Sequence, residues 1–174
     1  QLELLCQGIS NISQISGQTI FNALGVSQGG LLLRGYVEHC MGTIDISGLR
    51  LYPRINNLLT WVSPHGGVYY PLGGNIWYQQ YWQNHFAPAG YWRDPYNYQD
   101  YVKYSQYLSQ FNNERLTSQS QHYRHSLQQL QTWVMVWSER DDVLMPPQSG
   151  RMSTYVIDWP RNDLVVDNHY YDDF

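Results

Sequence analysis

The hydrophobic positions of this chain alternate between helical spacing and short apolar runs. Between residues 2 and 15, apolar side chains recur every three or four positions, which predicts a helix. Residues 19–26 form an apolar run bounded by glycines, which predicts a buried strand, and residues 31–40 predict a second helix. The first third of the chain therefore indicates the order helix, strand, helix.

The rest of the chain continues this alternation around one long irregular stretch. Residues 55–62 and 132–137 predict two further strands, and residues 126–131 predict the end of a helix. This order is typical of an α/β fold with parallel strands. We predict one partial α/β domain over residues 1–174, with a helical cap insertion of about residues 70–125 over the carboxyl ends of the strands.

Composition and charge narrow the function classes. The 174 residues carry a formal net charge of −4, which gives no reason to expect nucleic acid or an anionic membrane surface as partner. No apolar run is long enough to predict a transmembrane segment. The chain has 16 tyrosines and 7 tryptophans, most of them between residues 61 and 107. They reflect either the amino-acid usage of the source or a surface for an acyl or glycan-bearing ligand.

One short segment carries candidate chemistry. Gly25-Val26-Ser27-Gln28-Gly29 fits the G-x-S-x-G pattern, and it follows a predicted strand and opens a predicted helix. A serine nucleophile on such a turn has a strained backbone, and small residues on either side keep the turn compact. The Gln28 backbone N–H, at the positive end of the helix, would face a developing oxyanion. The alternative is an ordinary glycine-bounded turn whose serine caps the helix.

A serine nucleophile also needs a base and a carboxylate that orients it. In α/β enzymes of this kind the acid follows the serine, and the histidine follows the acid. Asp141 and Asp142 follow the third predicted strand, and both fit the acid position, although either would also suit a plain turn. His169 is the only histidine after them, and its surroundings do not form a strand followed by a loop.

Six segments spread along the chain form a more specific pattern than the serine turn alone: Cys6-Gln7, FNALGVSQGGLLLRGYVEHC (21–40), INNLLTWVSPHGGVY (55–69), GYWRDP (90–95), FNNER (111–115) and VMVWSERDDVLMPP (134–147). In these segments the chain resembles the palmitoyl-protein thioesterase family over nearly its whole length. The resemblance implies an α/β-hydrolase fold. It also implies a lysosomal or secreted enzyme that hydrolyses palmitoyl and other long-chain acyl thioesters of S-acylated protein or peptide cysteines.

The resemblance assigns roles to individual residues. It implies that Ser27 is the nucleophile, that the Gln28 N–H is an oxyanion donor, and that Asp141 rather than Asp142 is the triad acid. It also implies a disulfide between Cys6 and Cys40, which agrees with an oxidising compartment.

The chain departs from the family pattern at three places. The His-Gly loop that supplies the second oxyanion donor is not found before Gln1, and a second cysteine pair usual in animal members is absent. The catalytic histidine of the family is expected beyond Phe174, so that His169 is a poor substitute. We therefore expect residues 1–174 to be an internal fragment with little or no hydrolytic activity of its own.

The acyl chain needs an apolar groove, for which the aromatic region supplies candidates. We expect the groove to include Trp61, Val68, Trp77 and Trp82, although plain packing of the cap would explain each of them.

Two other functions stay open: an esterase or lipase acting on oxyesters, and a non-catalytic acyl-binding protein. The histidines lack metal-ligand spacing and the glycine-rich turn lacks a phosphate-binding lysine, so we expect neither metal nor cofactor. Asn11 begins a glycosylation triplet, which predicts a glycoprotein.

Overall fold

The structure, a computed structural model, describes residues 1–49, 51–71, 74–158, 161 and 163–167. The chain divides into two units. The first comprises Gln1–Ser63 and Ser118–Met135, and the second comprises Pro64–Thr117 and Val136–Phe174. The prediction of a single partial domain with a cap stays a prediction.

Helices and short strands alternate along the chain. The helices are α1 (Leu2–Ser16), α2 (Gln28–Tyr36, continued by the π-helical turn Val37–Met41), α3 (Gln80–His85), α4 (Tyr98–Tyr104), α5 (Leu108–Phe111) and α6 (Ser120–Leu127). The strands are β1 (Ile20–Val26), β2 (Arg54–Trp61), β3 (Thr132–Val136), β4 (Thr154–Asp158) and β5 (Asp163–Asp167). Three 3₁₀ turns cover Gly74–Tyr78, Ala87–Tyr91 and Pro147–Arg151. No helix in the described part of the chain has the length and apolar composition that crossing a bilayer requires.

The sheet of the first unit has the strand order β1-β2-β3, and β1 and β2 run parallel. The register pairs Gly25 with Thr60 and Val26 with Trp61, so the two strands end at the same edge of the sheet. The helix α2 between them is the crossover that a parallel pair needs. The predicted α/β class is confirmed.

A disulfide lies at the centre of the first unit's core. Cys6 of α1 and Cys40 of the π-helical turn are bonded, with their Cα atoms 6.2 Å apart, and both are buried. The disulfide implied by the resemblance is therefore formed. The apolar side chains buried around it are Tyr36, Val37, Met41, Ile55 and Leu58. In the chain-entropy model, closing a loop of this length stabilises the fold by roughly 3–4 kcal/mol.

A buried ion pair follows the glycine-rich turn on α2. Arg34 Nη2 lies 3.1 Å from Glu38 Oε1, and neither side chain is exposed to solvent. Glu38 Oε2 is also buried and accepts no hydrogen bond from the described residues. Burial raises the pKa of Glu38 to about 7, although the Arg34 charge opposes this shift. The folded protein therefore holds a proton on Glu38 that an unfolded chain releases at much lower pH.

This proton makes stability depend on pH. The pKa of Glu38 is higher in the folded chain than in the unfolded chain. The stabilisation that comes from protonated Glu38 is therefore complete below the unfolded pKa near 4.5, and it is lost as pH rises through about 7. In the unmodified protein, the unfolding free energy should fall between pH 5 and 8 as Glu38 ionises. Because the glutamine of Glu38→Gln cannot ionise, this fall should be smaller by about 1–3 kcal/mol in the variant. Urea unfolding of the natural full-length protein at several pH values measures this slope. Glu3→Gln, on the exposed face of α1, is the matched control and should keep it. An unchanged slope in Glu38→Gln would contradict the assignment.

A second buried ion pair organises the second unit. Arg93 Nη2 lies 2.8 Å from Glu114 Oε1, and both side chains are almost fully buried. Arg93 Nη1 also donates to Thr154 Oγ1 at 2.7 Å and to the Tyr155 carbonyl oxygen at 2.8 Å. Removing one partner of such a pair typically costs about 3–5 kcal/mol because the other charge stays buried. The GYWRDP and FNNER segments that carried the family resemblance thus hold this unit together.

The structure departs from the sequence predictions at several element ends. Helix α2 begins at Gln28, three residues before the predicted start at residue 31, and α6 ends at Leu127 rather than at residue 131. The antiparallel pair β4–β5 was not predicted. Its two strands are five residues long, which is too short for a clear alternation of polar and apolar positions.

Candidate active site

Ser27 occupies the turn between β1 and α2 in the first unit. Its backbone has φ 52° and ψ −129°, a region that residues with a side chain rarely adopt. The Ser27 N–H donates to the Trp61 carbonyl oxygen at 2.8 Å, which extends the pairing of β1 with β2 by one residue. The Ser27 side chain is exposed and makes no capping hydrogen bond to α2. A strained, exposed serine without a capping bond favours the nucleophile over the helix-cap alternative.

The glycines around Ser27 have unequal roles. A Cβ atom on Gly25 would lie 2.5 Å from Gly30 Cα, and one on Gly30 would lie 2.0 Å from Ser63 Oγ. A Cβ atom on Gly29 would meet no heavy atom within 4 Å. The expectation that glycines two residues on either side are both needed is therefore wrong for Gly29. The first turn of α2 carries Gly30, not Gly29, against the end of β1.

This asymmetry gives a prediction with a built-in control. Gly25→Ala forces a methyl group onto backbone atoms of Gly30 and should destabilise the protein by about 1–3 kcal/mol or more, as overpacking does. Gly29→Ala should be neutral or slightly stabilising, because alanine favours the helix over glycine by about 1 kcal/mol. Urea unfolding of both variants measures the difference. Equal losses of stability would contradict the close packing of Gly25 on Gly30.

The Gln28 backbone N–H, the expected oxyanion donor, lies at the start of α2. Gln28 is the first helical residue, so its N–H has no acceptor within the helix. The positive end of the helix dipole lies at the same place. The Gln28 side chain donates from Nε2 to Gln1 Oε1 at 2.8 Å. The backbone N–H is thus the group that Gln28 offers at the Ser27 turn.

Apolar surface lies beside Ser27 on the same unit. Trp61, a candidate for the acyl groove, pairs with Val26 at the ends of β2 and β1. Trp61 is 51% exposed, Val26 55% and Leu24 62%. Such large exposed apolar side chains next to one another are typical of a binding surface.

Asp141 lies in the second unit, on the loop after β3. Its Oδ1 accepts the backbone N–H groups of Val143 and Leu144, each at 2.9 Å. The Tyr70 hydroxyl donates to the Val143 carbonyl oxygen of the same loop. Burial, and then the negative charge of Asp141, raises the pKa of Tyr70, which keeps this donor protonated. The loop therefore holds Asp141 half-buried in one conformation, whereas Asp142 is exposed.

The other groove candidates meet in one aromatic cluster of the second unit. The Trp77 ring centroid lies 5.6 Å from that of Trp82 and 5.9 Å from that of Trp92. Val68 is buried and forms a parallel β-bridge with Trp92. Val68, Trp77 and Trp82 thus belong to one continuous cluster, and Trp61 belongs to the first unit.

Two groups that the sequence did not single out support the candidate residues. Ser63 faces Gly30 behind the serine turn, and Tyr70 fastens the Asp141 loop. In the sequence, the doublet Gly29-Gly30 is a weak signal for a close neighbour such as Ser63. Nothing in the sequence indicates the role of Tyr70. His169 lies outside the described residues. Among the residues that are described, no group of three or more His, Cys, Asp or Glu side chains is placed to hold a metal ion.

Comparison with known proteins bears on these residues. The profile of the palmitoyl protein thioesterase family matches residues 1–173. The chain belongs to this family. The resemblance identified from the sequence motifs is confirmed, and so is the α/β-hydrolase class that it implied.

Individual relatives agree with the family match. The chain is 33% identical, over 86% of its length, to the palmitoyl-protein thioesterase-dolichyl pyrophosphate phosphatase fusion 1 of Schizosaccharomyces pombe, of which it covers 25%. It is 30% identical to palmitoyl-protein thioesterase 3 of Dictyostelium discoideum over 78% of the chain, and 32% identical to the lysosomal thioesterase PPT2 homolog of Drosophila melanogaster over 76%. It covers 46% of each of these two proteins. The chain therefore spans less than half the length of these relatives.

Proposed function

We propose that this palmitoyl-protein thioesterase family member is a serine hydrolase of long-chain fatty acyl thioesters. Its substrates are proteins or peptides with S-acylated cysteines, and palmitoyl is one of the acyl groups that it removes. The observation that carries the proposal is the strained backbone of Ser27 between β1 and α2, within a sequence that matches the family throughout. Residues with a side chain that are held in such sparsely populated backbone regions cluster at active sites.

The reaction proceeds through an acyl-enzyme on Ser27. Ser27 Oγ attacks the thioester carbonyl carbon while a histidine accepts the hydroxyl proton. The Gln28 N–H stabilises the oxyanion, and the carbon–sulfur bond then breaks. The departing thiolate takes up the proton and becomes the free cysteine thiol. Water attacks the acyl-serine with the same histidine as base, which releases the fatty acid and restores Ser27.

Asp141 is the acid that orients the histidine in this proposal. Its Oδ1 is held by two backbone N–H groups, so we assign Oδ2 to the imidazole N–H. A fixed carboxylate of this kind selects the imidazole tautomer and stabilises its charged form. Asp142 is exposed, and the described residues do not hold its side chain in place.

Apolar side chains in each of the two units are candidates for binding the acyl chain. Trp61 offers exposed apolar surface next to the Ser27 turn, and Trp77 and Trp82, which are partly exposed, offer a second apolar surface beside the buried Val68. Burial of a long acyl chain against such surface gains about 0.8 kcal/mol per methylene. This term favours palmitoyl over short acyl groups.

The compartment is proposed to be lysosomal or secretory. The buried disulfide between Cys6 and Cys40 is stable where the environment is oxidising. Asn11, in the acceptor triplet, is exposed on α1 and thus accessible for glycosylation. The names of two relatives include lysosomal thioesterase.

A comparison of matched substrates tests the proposal. The natural full-length protein should hydrolyse a palmitoyl thioester with a higher kcat/KM than the matched palmitoyl oxyester, and than the acetyl thioester. Equal or faster cleavage of the oxyester would instead indicate an esterase or lipase. Binding of palmitoyl thioester without turnover would indicate a non-catalytic acyl-binding protein.

A further inference from the structure

The second unit contains a groove, lined by polar and aromatic residues, that the proposed reaction does not use. Its volume is about 720 Å³, within the range of about 300–1,000 Å³ that small-molecule sites occupy. The 3₁₀ turn Gly74–Tyr78, the start of α3, helix α4 and the segments before and after α5 contribute its walls. Four of the nine lining residues have carboxamide side chains: Asn75, Gln79, Gln80 and Gln106. None of the nine is aliphatic.

The walls of the groove are fixed by hydrogen bonds. The Tyr78 hydroxyl accepts the Asp94 N–H at 2.9 Å, which anchors the 3₁₀ turn. The Gln106 N–H donates to Gln83 Oε1 of α3 at 2.8 Å. Arg115 Nη1 donates to the Lys103 carbonyl oxygen at the end of α4, also at 2.8 Å. A ligand would therefore meet a preformed surface, which lowers the entropic cost of binding.

The chemistry of the lining favours a ligand rich in hydroxyl groups. Each carboxamide offers both hydrogen-bond donors and an acceptor, and each sugar hydroxyl does the same. The Tyr104 ring is 44% exposed, and Lys103 Nζ lies 4.8 Å from its centroid. The exposed part of the ring that Lys103 does not cover can contact the C–H side of a sugar ring. Among the described lining residues, an acyl chain or a hydrophobic peptide side chain would contact no aliphatic side chain.

The charges of the groove limit the ligand further. Lys103 and Arg115 are cationic and Asp100 is anionic, so the lining has one excess positive charge. A hydrogen bond with Tyr104 raises the pKa of Lys103, which keeps the ammonium charged. Such a lining accepts neutral sugars and also one carrying a single acidic group, because charged hydrogen bonds are about twice as strong as neutral ones.

We propose that this groove binds a short oligosaccharide, neutral or carrying one acidic group. The groove uses none of the residues assigned to catalysis. Sugar binding at the groove can therefore be tested separately from the thioesterase function. The ligand reaches the protein either as a free glycan or as part of a glycoprotein. In the second case, which rests on the proposed thioesterase function, the groove would help to select glycosylated substrates.

Calorimetric titration of the natural full-length protein with mannotriose and with 3′-sialyllactose tests the site. At least one of them should bind with a Kd of about 0.1–1 mM. Tyr104→Ala and Gln80→Ala should each weaken that binding about tenfold. Gln7→Ala, on an exposed position of α1, is the matched control and should leave it unchanged.

Three outcomes would overturn the proposal. They are the absence of binding by both sugars at about 10 mM, binding that survives both groove substitutions, and tenfold tighter binding of an unglycosylated acidic hexapeptide at the same residues. Thermal unfolding of each variant shows whether the fold is intact. Gln80→Glu, which keeps the size of the side chain, separates a loss of binding from a loss of folding.

Discussion

Ser27→Ala is expected to lower kcat for palmitoyl-thioester hydrolysis by about 10⁴–10⁶-fold in the natural full-length protein. Without the hydroxyl no acyl-enzyme forms, and only direct attack by water remains. The KM should change little, because the side chain contributes little to substrate binding. Stability should hold or rise slightly, since the Ser27 side chain makes no capping hydrogen bond in the described structure.

A matched serine provides the control for this prediction. Ser118 is exposed in the turn before α6, and Ser118→Ala should leave kcat and KM unchanged. Steady-state assays of the two variants beside the unmodified protein make the comparison. Activity of Ser27→Ala within about tenfold of the unmodified protein would exclude Ser27 as nucleophile.

Asp141→Asn is expected to lower kcat by about 10⁴-fold, again with folding preserved. The amide keeps the shape of the side chain, and its oxygen can still accept the N–H groups of Val143 and Leu144. Its NH₂ group, however, donates where a carboxylate accepts, so the histidine is held in the wrong tautomer. The imidazolium that forms during the reaction also loses its countercharge.

The neighbouring carboxylate makes the experiment discriminating. Asp142→Asn removes the same charge one residue away, from an exposed side chain, and should change kcat by less than about threefold. Assays over a range of pH separate a loss of the orienting acid from a simple change of local charge. The opposite result, an inactive Asp142→Asn and an active Asp141→Asn, would reassign the acid.

The sequence was sufficient for the framework around Ser27. Residues 19–26 and 55–62 were predicted as strands from their apolar runs, and the structure has β1 and β2 there. These predictions succeeded because one local signal, an apolar run between turn residues, decides each element. The serine turn was predicted in the same way, from glycines at fixed distances within six residues.

Two interactions that the sequence did not predict depend on residues far apart in the chain. Gly30 needs its small size because of Ser63, which is 33 positions later, and the pattern alone suggested Gly29. Arg93 and Glu114 are both within motifs that the resemblance identified, but their pairing appears only when the second unit is folded. Periodicity cannot report such pairs, because each partner looks like a solvated charge in its own segment.

The burial of Glu38 is a further feature that the sequence alone does not predict. On sequence alone, a glutamate on a helix four residues after an arginine is expected to form an exposed pair. Here the helix face is covered, and the described structure buries both side chains completely. The consequence for pH-dependent stability follows from this burial and not from the residue types.

The measurement that tests the account most directly is mass spectrometry of the natural full-length protein after rapid mixing with a palmitoyl thioester and acid quench. The account predicts a palmitoyl adduct on the peptide that contains Ser27, formed before steady state and absent from the Ser27→Ala variant. An adduct on another residue, or full turnover without any adduct on Ser27, would contradict it.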